Sequence, residues 1–84
     1  MGISAQPGGR VMVILYTAPD CQPCRATKRA LQQRGIAYEE VDLSRDAEAL
    51  ARVRSWGYQS APVVYLGQDH HWYGYRPDLL AGLT

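Results

Sequence analysis

The sequence predicts an α/β domain in which a four-stranded mixed sheet is flanked by three helices, in the order strand, helix, strand, helix, strand, strand, helix. Three observations carry this. Val11-Met-Val-Ile-Leu-Tyr16 is a continuous apolar, largely β-branched run, as expected of a central strand covered on both faces. Two segments of helical periodicity follow, each closed by a glycine, Gly35 and Gly57. Pro62-Val-Val-Tyr-Leu66 and His70-His-Trp-Tyr73 then flank the turn Gly67-Gln-Asp69, the pattern of a β-hairpin. A helical crossover makes the first two strands parallel and the hairpin makes the last two antiparallel, so the sheet is mixed.

The first helix runs from Pro23 to about Arg34. Proline suits its first turn, Thr27, Ala30 and Leu31 recur on one side, and Arg29, Gln32 and Gln33 form the polar side. Ala37-Tyr-Glu-Glu-Val-Asp-Leu43 reads as the second strand, with Tyr38 pointing one way and Ala37, Glu39 and Val41 the other. Ser44 or Asp46 caps the second helix, whose apolar stripe is Leu50, Val53 and Trp56 or Gly57, with Arg45, Glu48, Arg52 and Arg54 outside it. The last helix, Pro77 to Leu83, has Leu79, Leu80 and Leu83 as its apolar side. Met1 to Arg10 has no apolar period and is expected to be a flexible tail before a single domain at residues 11–84.

Composition narrows the function. Eighty-four residues, 46% of them apolar, make one ordinary globular domain. A net charge of +1 gives no electrostatic case for a nucleic-acid or membrane partner, which would need a basic surplus. Val11 to Tyr16 is too short for a signal or membrane helix.

The chemistry-bearing stretch is Cys21-Gln22-Pro23-Cys24, which holds the only two cysteines. Two cysteines cannot staple a secreted framework, so a cytosolic redox pair is the expected use. Thiols at this spacing close a small disulfide ring with little backbone movement. Unsatisfied N–H groups at a helix start favour thiolate over thiol, and such sites lower a cysteine pKa from about 8.5 into the range of about 3.5 to 7.5. Cys21 is therefore the expected nucleophile, attacking a substrate disulfide, and Cys24, one helical turn on and more enclosed, resolves the mixed disulfide. A zinc site would need two more ligands, and His70 and His71, adjacent on a strand, point to opposite faces. No metal is expected, and both histidines are read as hairpin or surface residues. Asp20 is expected to face water, and Arg25 and Lys28 either support the thiolate, complement an acidic partner or form a solvated helix face.

These motifs together resemble a known family. A C-x-x-C after the first strand, Ala61-Pro62 opening the third, and the order of elements are similar to the thioredoxin and glutaredoxin superfamily. Within it, Trp72-Tyr-Gly-Tyr-Arg-Pro-Asp78 resembles the W-S-G-F-R-P-D stretch of NrdH-redoxins, as does Gly57-Tyr-Gln-Ser-Ala-Pro-Val-Val64 the segment before it. The resemblance spans about Val11 to Leu83. It implies the thioredoxin/glutaredoxin fold and a dithiol protein with no bound cofactor. Its electrons would come from NADPH through thioredoxin reductase and pass to class Ib ribonucleotide reductase. It also implies a monomer in the cytoplasm of a bacterium, encoded by the cell or its phage. In the superfamily the proline at Pro62 is cis and faces the cysteines, which makes Ala61 and Pro62, with Gln22 and Pro23, the expected docking surface. Trp72, Gly74, Arg76 and Asp78 are expected to form a supporting loop, with Trp72 and Arg76 hydrogen-bonded at its corner.

One departure stands out. The family usually carries valine or methionine then glutamine between its cysteines, whereas Gln22-Pro23 is closer to the Gly-Pro of thioredoxins. Two competing functions differ in sequence. A glutathione-dependent glutaredoxin has tyrosine or phenylalanine between the cysteines and usually Gly-Gly plus an acid near strand four, where this chain has Pro23 and Gly74-Tyr75-Arg76. A non-redox binding module on the same fold would not need both cysteines.

Overall fold

The computed structural model describes residues 13–67 and 69–83, so the expected tail and the first two residues of the first strand lie outside the described residues. Strand β1 (Val13–Thr17) lies in the sheet interior, parallel to β2 (Tyr38–Asp42) on one side and antiparallel to β3 (Val63–Gly67) on the other. Strand β4 (His70–Tyr73) closes the hairpin on β3 as an edge, giving the order β2-β1-β3-β4. The order of elements and the mixed sheet are those the sequence predicts.

Strand alternation divides the core into two layers. Val13 and Leu15 point to one face, where they meet Leu31 of α1 (Gln22–Gln33), Val64 of β3 and Leu80 of α3 (Pro77–Ala81). Tyr16 points to the other, against Ala49 and Val53 of α2 (Ala47–Ser55) and Val63 of β3. In β2, Tyr38 joins the first layer and Val41 the second, as the alternation requires.

Both long helices end in the same way. Gly35 (φ 69°) and Gly57 (φ 96°) take left-handed conformations that residues with a Cβ rarely adopt. The next residues turn back: Ile36 N–H donates to Leu31 C=O at 3.0 Å and Tyr58 N–H to Val53 C=O at 3.1 Å. Of the two candidate caps for α2, Asp46 fills the role, accepting from the Ala49 N–H at 3.0 Å. Ser44 is held by Asp42 instead, its Oγ and N–H donating to Oδ1 at 2.7 and 2.9 Å. Those bonds, the hydroxyl's first, hold the Asp42 carboxyl below its ordinary pKa.

Beyond the end of α2 an aromatic layer extends the core over β3 and β4. Trp56 stacks on Tyr65 at 5.0 Å and on His71 at 4.6 Å between ring centroids, with Tyr16 edge-on at 6.0 Å. The Tyr58 hydroxyl sits 2.8 Å from His71 Nδ1. His70 is exposed, so the two histidines do part to different surroundings, but His71 is half-buried within this layer.

Candidate active site

Thr17 ends β1 as a buried hydroxyl that reaches Glu40 Oε2 at 3.3 Å. The chain then breaks at Ala18-Pro19, and Asp20, exposed and in the left-handed region (φ 56°), turns it into α1. Cys21 is the N-cap residue, with extended backbone. An N-cap side chain accepts from the N–H of the second or third helical residue. The second is Pro23, which has no N–H, so the third supplies the bond: Cys24 N–H donates to Cys21 Sγ at 3.1 Å.

Cys21 and Cys24 are joined by a disulfide, their Cα atoms 5.2 Å apart. Cys21 is half-buried, whereas Cys24 is only 3% exposed, the asymmetry expected of attacking and resolving sulfurs. Gln22 and Pro23 stand exposed at the rim. Thr27, one turn beyond Pro23, is wholly buried and donates to Pro23 C=O at 2.8 Å, which pins the first turn to the helix body.

Ala61 lies in the same core layer as Cys24, with Cys21 packed against it, so the structure brings the third-strand entry to the cysteines. The Ala61–Pro62 bond is cis. Both side chains are buried. The Gly74 N–H donates to Pro62 C=O at 2.8 Å, and Gly74 holds a φ of 94° to do so, which explains a glycine at that position. Gly74 thus supports the proline loop directly.

The rest of the expected supporting loop is arranged differently. Trp72 and Arg76 do not hydrogen-bond. Trp72 packs into the layer of Leu80 and Leu83, and its buried indole N–H has no partner among the described residues. Arg76 turns to Asp78, Nε to Oδ1 at 3.2 Å and Nη2 to Oδ2 at 3.0 Å. This two-point bond, the largest cause in each case, lowers the Asp78 pKa and raises that of Arg76. The reason is geometric: Arg76 is the N-cap residue of α3 and Asp78 lies in its first turn, so the pair closes locally while the indole follows strand alternation into the core. Tyr73 and Tyr75, on either side of Gly74, are 47% and 41% exposed.

Lys28 is paired with Glu40 at 3.0 Å across α1 and β2, whereas Arg25 is exposed. Among the described residues no group of histidine, cysteine and acidic side chains is placed to hold a metal ion. No helix among them is long and apolar enough to cross a membrane. The aromatic layer of Trp56, Tyr58 and His71 is the part of this region that the sequence did not announce. Its one signal is a tryptophan at the end of an amphipathic helix.

Residues 13–71 match the glutaredoxin family. The glutaredoxin-like protein NrdH of Escherichia coli (strain K12) is 41% identical over 68 residues, 81% of this chain and 83% of that protein. The Gene 56 protein of Mycobacterium phage D29 is 36% identical over 67 residues, 79% of this chain and 74% of that one. Among solved structures, the glutaredoxin-like protein NrdH-redoxin from Escherichia coli, described as having a thioredoxin-like activity profile, superposes with a TM-score of 0.82 at 40% identity. That match covers 87% of this chain and 95% of the other, and it fixes the thioredoxin/glutaredoxin fold. With the cysteine pair at the start of α1, this chain belongs to the glutaredoxin family as an NrdH-type redoxin, a thiol–disulfide oxidoreductase with a redox-active Cys21–Cys24 pair.

Proposed function

We propose that this protein carries electron pairs from thioredoxin reductase to protein disulfides, with class Ib ribonucleotide reductase as its acceptor. Cys21 is the nucleophile. Its thiolate attacks one sulfur of the substrate disulfide, forming a mixed disulfide while the other substrate sulfur leaves and takes up a proton. The Cys24 sulfur then gives up its proton and attacks Cys21 Sγ, closing the internal disulfide and releasing the reduced substrate. Two electrons have passed to the substrate; of the two protons that complete its dithiol, one is released by Cys24 and the other is taken from solvent. Thioredoxin reductase returns the pair to the dithiol with electrons from NADPH, and nothing need be bound to this chain besides its partners.

The observation that carries the reading is the Cys24 N–H aimed at Cys21 Sγ at 3.1 Å on the more exposed of the two sulfurs. A donor there stabilises sulfur as thiolate, both in attack and as a leaving group. Docking falls to the loop at Ala61 and Pro62, where the Ala61 backbone pairs with an extended partner segment while Gly74 holds the Pro62 carbonyl, and to the exposed Gln22 and Pro23. Gly74 holds that loop, and Trp72, Arg76 and Asp78 anchor the segment behind it. The choice of thioredoxin reductase over glutathione rests on the NrdH likeness, on the thioredoxin-like profile described for the related structure, and on Pro23 and Gly74-Tyr75-Arg76 where glutaredoxins differ. The working form is a monomer in the bacterial cytoplasm, encoded by the cell or by a phage.

The test is turnover of insulin disulfides with NADPH and either thioredoxin reductase or glutathione with its reductase. Turnover with thioredoxin reductase is expected. Turnover with glutathione alone would make the protein a glutathione-dependent glutaredoxin, and none with either would leave a binding module.

A further inference from the structure

The near-neutral net charge hides a strong segregation. Between Cys21 and Tyr38 the chain carries Arg25, Lys28, Arg29 and Arg34 and no acid, while Glu39 to Glu48 carries five acids and one arginine. Helix α1 has no acidic residue in its first turn to offset Arg25 near its N-terminus, where a positive charge opposes the helix dipole, whereas Arg34 complements the dipole as the C-cap residue. Arg25 and Arg29 are like charges one turn apart, an arrangement that weakens a helix. Both are exposed, and among the described residues neither joins an ion pair. No acidic side chain occurs in residues 1–12. Lys28 alone is neutralised, by Glu40. Residues placed against the local preferences of their own helix serve something outside it.

The placement says what. The Arg25 N–H donates to Cys21 C=O at 3.2 Å, so Cys21, Arg25 and Arg29 follow one another at four-residue steps up the helix from the attacking sulfur. Arg25 and Arg29 stand about 6 and 12 Å along the axis from Cys21. An extended chain covers those distances in about two and four residues. Asp20, the one acid on the redox loop, precedes the helix and lies off this row.

We propose that Arg25 and Arg29 form a docking ridge for an acidic, disulfide-bearing segment of the partner protein, so that this redoxin selects disulfides with carboxylates about two and four residues from the attacked cysteine. The proposal rests on the dithiol reading above and names its substrate class.

The test uses the whole protein, reduced with dithiothreitol and desalted, and two peptides with one intramolecular disulfide each. They are identical except that the residues two and four positions from the cysteines are aspartates in one and asparagines in the other. Reaction with each is followed in wild type, in Arg25→Gln/Arg29→Gln, and in Arg54→Gln, which removes an exposed charge from α2. Wild type and Arg54→Gln should favour the acidic peptide about fivefold to tenfold more than the double variant does, a margin that fades by ~0.5 M salt. Because the ratio compares two substrates of one thiolate, a change in Cys21 reactivity does not move it. An equal ratio in wild type and double variant overturns the ridge, as does an equal loss in Arg54→Gln, which would mean general charge attraction. Failure to react with either peptide overturns the dithiol reading, and the ridge with it.

Discussion

The backbone N–H of Cys24 points at Cys21 Sγ from 3.1 Å, and Pro23 between them has no N–H to add a second bond. The cap that starts α1 is therefore also the donor that faces the sulfur proposed to attack. In a Cys24→Ser variant the alkylation rate of Cys21 should rise to its plateau well below pH 8.5, the ordinary thiol value of about 8.5 being the reference. A profile centred at the ordinary value would show that the donor does not act on the thiolate.

Pro23 sets a limit on that stabilisation. Pro23→Gln, which places the family's usual residue there, restores a backbone donor beside Sγ. The thiolate, and with it the reduced form, should gain, moving the reduction potential upward by about 10 to 30 mV. Redox equilibration against a thioredoxin of known potential reads the shift. A downward shift would mean that proline acts through loop rigidity instead.

Trp72 and Leu80 pack together but should respond differently. Leu80 is fully buried, so Leu80→Ala should cost about 2 to 5 kcal/mol in urea unfolding. Trp72→Phe loses ring area but also removes a buried N–H that has no partner among the described residues. Such a donor carries a penalty of about 1 to 3 kcal/mol, which offsets the lost packing, so this variant should cost under about 1.5 kcal/mol. A large loss would reveal an unrecognised bond to the indole.

How much of this the residues alone could show differs by scale. The element order is legible because Val11 to Tyr16 is an uninterrupted apolar run and each long helix ends at a glycine, which takes a positive φ. The cysteine pair is legible because its chemistry follows from two cysteines three positions apart and a helix start. The expected Trp72–Arg76 corner does not form, since nothing in a linear pattern tells an arginine to prefer an aspartate two residues on over an indole four residues back. The surroundings of His71 are not legible for a related reason: alternation gives its face, but only the tertiary arrangement brings Trp56 onto it at 4.6 Å.

Acid should weaken the fold through carboxyls whose pKa is lowered on folding. Asp42 is held down first by the Ser44 hydroxyl, and Asp78 first by Arg76. A depressed folded pKa gives stability that is present above the unfolded value of about 3.9 and lost as pH falls through the folded value. Ser44→Ala should therefore lower Tm at pH 6 and narrow the gap to wild type as pH falls below about 4. A gap independent of pH would assign the effect to the turn and not to the carboxylate.

The central claim is the division of labour between the two sulfurs, half-buried Cys21 attacking and buried Cys24 resolving. The most direct measurement is mass spectrometry of the single variants after reduction and exposure to a protein disulfide. Cys24→Ser should accumulate a stable mixed disulfide through Cys21, and Cys21→Ser should form none and lose all turnover. A mixed disulfide trapped through Cys24 in the Cys21→Ser variant, with Cys24→Ser inert, would contradict the account.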